Sequence, residues 1–544
     1  MRRRAGTGLR PPRGERSRLG AARASQVPAL GLFLLAVVMG AGAGGCNLSQ
    51  DGVRPPDNRI FFPGGAVMDP GGRWLYVVNS NSDLRYNAGT VAALDLRAVR
   101  QDHPDDPTWS GQTWGACPID SRYVPRASID GDSANRCCRD AFDENIINCD
   151  EQRYFRDTRQ NTVRIGSFAA RPVLQTLPSD SGEVVRRLYV PVRGDTSITM
   201  VSVSPREDGV TMSCYGDRNE PTAAPTPSAP CDQRWRISRF DDPEGTPTPD
   251  NTNPEVRLPD EPYALALDED AGLLYVGHLR GGGVSLINLG GVNQSDFKHP
   301  ELIQTLPGLL PGDSAGAQGI TSLTIKNRGC FGSIYASSRY RPVVGAFVVY
   351  GIENCPENSP TPISARSLAI VGTGEILSTG LSGSDTRGIQ FIRPGGPEPA
   401  GSTPDRMFIL QRTPPALVAL DAATQTPFSV TEVCQGPTEL TQQRDASGRT
   451  VALFVTCFDA GEVYVVDPWV PRVRNVIPIG RGPVAMILPP AGVTDPVDAN
   501  RAYVVAFGGN NVVVIDLAEG SKTQYHVIQR IGFPSATPRE VGPQ

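Results

Sequence analysis

PGGAVMDPGGRWLYVVN, residues 63–79, writes a short apolar run, an Asp-Pro-Gly-Gly turn and a second apolar run, and TVAALDL from Thr90 adds a third. Aromatic and β-branched residues in period-two order, bounded by Gly, Asn, Asp and Pro, read as antiparallel strands joined by tight turns. The same grammar recurs along the chain. Its middle runs are Leu75-Tyr-Val-Val, Leu188-Tyr-Val-Pro, Leu274-Tyr-Val-Gly, Ile334-Tyr-Ala-Ser, Met407-Phe-Ile-Leu, Leu453-Phe-Val-Thr and Ala502-Tyr-Val-Val. Each has a partner within about a dozen residues, from SITMVSV at Ser197 to NVVVIDL at Asn511.

A further strand precedes each of these hairpins, as in YALALDEDAG before Leu273, and a fourth follows most of them, as in VRNVIPIG (473–480). The closest copies lie 46 residues apart (Met407 to Leu453) and 49 apart (Leu453 to Ala502). Four short strands at such a pitch are the signature of a propeller blade. No long helical period interrupts them, so the fold class is all-β: a seven-bladed β-propeller of four-stranded blades over residues 60–532, with eight blades as the nearest alternative. Longer pitches, such as Leu75 to Leu188, require insertions. Residues 98–160 form a cysteine-rich one, too long for a bare connection. Residues 205–254, with PTAAPTPSAP and DDPEGTPTPDNTNP, form a Pro/Thr-rich one expected to be a mobile loop. Residues 533–544 are a tail.

The amino end sets the expected compartment. Arginine-rich residues precede VPALGLFLLAVVMGAGAGG, which stops at Cys46. Basic, apolar and small residues in that order describe a secretory signal, and the apolar part is short against the about 20 residues of a membrane span. Ala43-Gly44-Gly45-Cys46 resembles the bacterial lipobox, although Ala43 stands where that motif prefers Leu. The resemblance implies a signal peptide over 1–45, lipid attachment at Cys46 and a tether over 46–59. Ordinary secretion with cleavage near Ala41 or Ala43 is the competing reading. Asn47 after the lipidated position favours the outer membrane of a Gram-negative-type envelope, with the propeller in the periplasm or at the cell surface.

Residues 1–45 hold eight Arg and one Glu of the chain's 52 basic and 57 acidic side chains, so the remainder keeps 44 basic and 56 acidic groups, a formal charge of −12. An acidic surface repels phosphate, and nucleic acid is not expected as a partner. Cys46 aside, ten cysteines remain in four local groups: Cys117, Cys137, Cys138 and Cys149; Cys214 and Cys231; Cys330 and Cys355; Cys434 and Cys457. An even number in an exported chain points to disulfides. Cys137-Cys138 lacks the knuckle spacing of a zinc site, and the four histidines are unpaired, so no metal or cofactor is expected. The protein is expected to be a monomer.

PGGAVMDPGGRWLYVVN (63–79), EPYALALDEDAGLLYVGH (261–278) and GPVAMILPP (482–490) with AYVVAFGGNNVVVIDL (502–517) resemble the YVTN repeats of seven-bladed propellers. Blades 4 and 5 depart from the motif at the turn before the second strand. The resemblance implies the ring fold and, for function, a group holding lactonase-like hydrolases, electron-transfer partners and binding scaffolds. On that fold, Cys330 and Cys355 sit at the open end of one hairpin, and Cys434 with Cys457 would staple adjacent blades.

Also on that fold, the loops between second and third strands open on one face near the central funnel. They carry Asn79 and Arg85, Arg193 and Asp195, His278 and Arg280, Arg339 and Arg341, Arg412, Asp459 and Asn510. Arginine in five successive blades suits a carboxylate or phosphate, making Arg193, His278, Arg280, Arg339, Arg341 and Arg412 the candidate site for an anionic ligand or an acidic partner segment. Solvated turns with locally paired arginines are the alternative. No GxSxG elbow, HExxH pair, Gly-rich phosphate loop or CxxCH stands in a supporting context, so no catalytic residue is assigned. The expectation is a lipid-anchored binding scaffold without enzymatic activity; the family's lactonase-like hydrolysis is the alternative. Asp95, Asn288, Asp421, Asp467 and Asp516 end third strands and read as turn caps.

Overall fold

The computed structural model of the protein describes residues 52–103, 114–117, 137–155, 160–177, 185–206, 209–216, 230–238, 258–269, 271–280, 283–289, 300–306, 319–327, 333–351, 368–392, 405–445 and 447–532. Cys46, Cys330, Cys355, the leader and the tail lie outside them. No helix among the described residues is long and apolar enough to cross a membrane.

Seven antiparallel sheets stand in a ring, one per repeat. Blade 1 runs Pro63–Met68, Trp74–Asn79, Gly89–Asp95 and Thr162–Ile165 in spatial order, and blades 3 to 6 repeat that up-and-down order. The first strand of each blade packs against its neighbours' first strands, as Pro262–Asp268 does on Ile320–Asn327 and Pro437–Arg444 on Pro483–Ile487. First strands therefore line the central channel and fourth strands form the rim. All seven middle runs are second strands, and their aromatic residues Tyr76, Tyr189, Tyr275, Tyr335, Phe408, Phe454 and Tyr503 are buried.

Burying a tyrosine requires a partner for its hydroxyl. Tyr189 donates to Gln175 of its own first strand at 2.8 Å. Tyr76 meets Asp69, which also holds Arg186 of blade 2, so one carboxylate ties two blades together. Third-strand aspartates cap turns as expected. Asp95 accepts from the Arg97 and Ala98 amides, Asp421 from Ala423 and Thr424, Asp467 from Trp469 and Val470, and Asp516 from Ala518.

Both insertions build structure. In blade 2 the fourth-strand position is split between Val210–Ser213, paired with the far end of Ser197–Pro205, and Arg236–Ser238, paired with its beginning. Val210–Ser213 and Arg236–Ser238 thus correct the expectation of a mobile loop for their part of 205–254. Its flanks bury Val210, Met212, Trp235 and Ile237, and Cys214–Cys231 joins them. Low-complexity composition between the two cysteines hid the short alternations outside them.

The cysteine-rich insertion of blade 1 crosses to the other end of the chain. Cys137–Arg139 and Ile147–Cys149 form a hairpin whose second strand runs parallel to Val527–Ile531, the last strand of blade 7, pairing Gln529 with Ile147, Arg530 with Asn148 and Ile531 with Cys149. Disulfides Cys117–Cys138 and Cys137–Cys149 hold it. Cys434–Cys457 links blade 5 to blade 6.

Phe454 is fully buried where blades 6 and 7 meet. Phe454→Ala should cost about 3–5 kcal/mol of unfolding free energy through lost burial and a residual cavity, read from urea denaturation of the folded protein.

Candidate functional site

Second strands end, and third strands begin, on the same face of the ring as the interblade connections that lead into first strands. That face gathers the candidate arginines, and the local chemistry sorts them. Arg85 pairs with Asp83 (3.5 Å), Arg280 with Asp260 (3.9 Å) and Arg412 with Asp459 (3.1 Å). Arg193 instead lies against two rings, Phe168 at 5.8 Å and Tyr263 of blade 3 at 5.9 Å, and donates to the Phe168 carbonyl at 3.4 Å. Arg339 lies over its neighbour Tyr340 at 5.6 Å. Neither forms an ion pair among the described residues. Arg341 is exposed on the same loop as Arg339.

The other loop positions are structural. Asn79 is buried, donates to the Arg59 carbonyl and Thr90 hydroxyl, and accepts from the Phe61 amide. Asn510 of blade 7 accepts from the Phe62 amide at the mouth of blade 1. Asp195 accepts from Ser197 and holds Arg236. His278 closes the second strand of blade 3 and is completely buried, with Nε2 2.9 Å from the Ser285 hydroxyl. Burial pushes its pKa down to about 3, against the opposing pull of Asp260 and Pro259 backbone groups. The imidazole is therefore neutral and enclosed, beneath the face rather than on it.

Sequence reasoning missed two features of this face. One is an ion pair between Arg171, at the entrance to the first strand of blade 2, and Glu439, in the first strand of blade 6. These blades are not neighbours, so the pair crosses the central channel. Desolvation pushes the Arg171 pKa down to about 10, although 48 % of its side chain remains exposed. Glu439 is also held by the Met486 amide of blade 7 at 2.8 Å. The other is a run of aromatic contacts over three blades, Phe62 on Phe507 at 5.4 Å and Phe507 on Phe458 at 6.1 Å. A charge inside an inner-strand pattern, TELTQ, was the only sequence signal for the first. The second had none, because its three rings come from unrelated loop positions.

Among the described residues, the one cluster of metal-ligating atoms joins Asp102, Cys137 and Cys149, and those cysteines are bonded to each other.

No protein-family model matches this chain, and no curated protein matches it. Similar solved structures include a 6-phosphogluconolactonase candidate from Bacteroides uniformis, at 14 % identity over 63 % of this chain and 81 % of that one, TM-score 0.38. A protein from Lactobacillus plantarum follows at 12 % identity, 69 % and 89 % coverage, TM-score 0.39. Hydrazine synthase from Kuenenia stuttgartiensis is 11 % identical over 86 % and 97 %, TM-score 0.38. Likenesses this loose carry no argument about ligand or activity, and the propeller assignment rests on the chain's own strand order.

His278 supplies a stability test. Its folded pKa lies far below the about 6.5 of an exposed histidine, so the unfolded chain binds one more proton between those values. Its contribution is complete above pH 6.5 and is lost as pH falls from there towards 3, with a slope of up to about 1.4 kcal/mol per pH unit. His278→Gln should remove that slope between pH 6 and 4.5 in denaturant titrations, and an unchanged slope would show that the ring titrates normally.

Proposed function

We propose that this chain is an exported lipoprotein, anchored through Cys46, whose propeller is a binding scaffold for an anionic ligand or an acidic partner segment. One observation carries the reading: Arg193 and Arg339 are steadied by aromatic rings and not by carboxylates. A guanidinium laid on a ring keeps its in-plane donors for a planar anion, and ordering it beforehand lowers the entropic cost of binding. Arg341 adds positive charge on the same loop as Arg339. Aromatic and arginine side chains together are also the composition of interface hot spots.

The anchor rests on the basic, apolar and small-residue order of residues 1–46, and Asn47 after it favours the outer membrane, with the propeller in the periplasm or at the cell surface. The acidic remainder disfavours nucleic acid. The hydrolase alternative draws no support from His278, which is enclosed and neutral.

The mature protein made soluble by Cys46→Ser should bind a hexaglutamate peptide or inorganic phosphate in calorimetric titration. Arg193→Ala with Arg339→Ala should weaken that binding at least tenfold, with unfolding midpoints little changed. Equal affinity of the double variant, or no binding of either probe by the parent at millimolar concentration, removes the anion reading. Separately, the chain with Cys46 intact should incorporate an alkyne fatty acid in a Gram-negative host, and Cys46→Ser should not.

A further inference from the structure

Two disulfides meet at the adjacent residues Cys137 and Cys138, and the hairpin they hold is the strand-to-strand link between the two ends of the ring. Ile147–Cys149 adds to the last strand of blade 7 through three register pairs, extended by the Gly532 amide donating to the Cys149 carbonyl at 2.9 Å. Side chains reinforce the joint. Gln529 donates to the Tyr154 hydroxyl at 2.9 Å, and that hydroxyl donates to Asp102 at 2.9 Å. Arg153 grips Asp102 through two nitrogens, Arg530 meets Asp140 at 3.0 Å, and Arg59 of the entry segment meets Asp150 at 3.0 Å.

Two strands of three residues cannot hold such a joint by themselves, since isolated hairpins are marginal in water. The bridges supply what the strands lack. They are also unequal in access. Cys137 and Cys149 are buried, and the Asp102 carboxylate lies 4.0 Å from the Cys137 sulfur, where its charge opposes a thiolate. In the other bridge Cys117 is buried but Cys138 is partly exposed.

We infer that this pair of bridges is a redox-addressable clasp: thiol–disulfide exchange at Cys117–Cys138 unlocks the hairpin from blade 7, so the rim of the ring closes only in an oxidising compartment. A small dithiol is the co-reactant. Its thiolate attacks the Cys138 sulfur, the Cys117 thiolate leaves and takes up a proton, and the second thiol of the reagent then displaces the Cys138 thiolate. The products are two protein thiols and one cyclic disulfide of the reagent. Cys137–Cys149 follows by the same exchange once loosening of the hairpin admits the reagent. Loss of the clasp bares the outer edge of Val527–Ile531, which stays paired to Asn511–Asp516 on its other side, and leaves that edge open to other chains.

The test uses the folded, full mature protein with graded dithiothreitol, quenched by alkylation and read by mass spectrometry alongside amide hydrogen exchange. Cys117 and Cys138 should be alkylated first. After Cys137 and Cys149 follow, amide protection at 529–531 should fall at least tenfold, while first-strand amides such as those of Pro483–Ile487 keep theirs. Cys434→Ser with Cys457→Ser, which removes a bridge elsewhere in the ring, should leave 529–531 protected before reduction. Opening of Cys137–Cys149 before Cys117–Cys138, or undiminished protection at 529–531 with all four thiols free, overturns the inference.

Discussion

Seven sheets that each pack on both neighbours leave two apolar faces bare unless the first and last blades meet, so every other contact in the ring depends on the seam between blades 7 and 1. An all-apolar seam would bury enough surface to join them, and one exists: Ile60, Ala66, Met68 and Leu75 pack with Ala485, Tyr503, Val505 and Val512. Burial is non-directional, however, and does not by itself select one registration of blade on blade. Directional contacts do so here. The Phe62 amide reaches Asn510, and the insertion from blade 1 lays a parallel strand along the rim of blade 7. Blades 1 and 7 each complete their four strands from contiguous ends of the chain, apart from that insertion, so neither lends a strand to the other's core. The clasp on the rim takes up the task of joining them.

The blades were legible because their information is local. A period-two alternation, an Asp/Gly turn and a buried aromatic at the second position of each run all lie within about 20 residues, and the strands Trp74–Asn79, Leu273–His278 and Arg501–Ala506 contain their expected runs intact. The turn caps were readable for the same reason, since an Asx side chain serves amides two and three residues on. The Cys434–Cys457 link was readable at one remove, because fold and strand order place both residues at one end of adjacent blades.

The clasp could not be read this way. Its strands are three residues long, below the length at which alternation means anything, and its partner strand lies some 380 residues away. The pairing among four neighbouring cysteines has several solutions on sequence alone, and only the hairpin register, with Cys137 opposite Cys149, selects one. Arg171 and Glu439 fail to announce each other for a related reason: they meet across a lumen, and no spacing along the chain encodes a diameter. The loop histidine fails differently. The turn around His278 is polar, but its ring folds inward to Ser285 on the third strand of its own blade, a contact that no spacing along the chain announces.

A net-acidic chain that sets arginines around one face has two ways to keep them from repelling each other, and this ring uses both. Arg85, Arg280 and Arg412 have carboxylates of their own, but these pairs are exposed, and exposed pairs contribute about 0–1 kcal/mol. Such a pair gives little resistance to an incoming anion, which can exchange places with Asp260 or Asp459 at small cost. Arg171 is the opposite case. Its partner Glu439 is fixed by the Met486 backbone amide and is itself mostly enclosed. A ligand would have to displace a carboxylate already in position. The face therefore divides into a locked pair across the lumen and a looser set on the loops above it. Arg193 and Arg339, steadied by rings that claim none of their charge, belong to that looser set, which is why the proposed anion site centres on them.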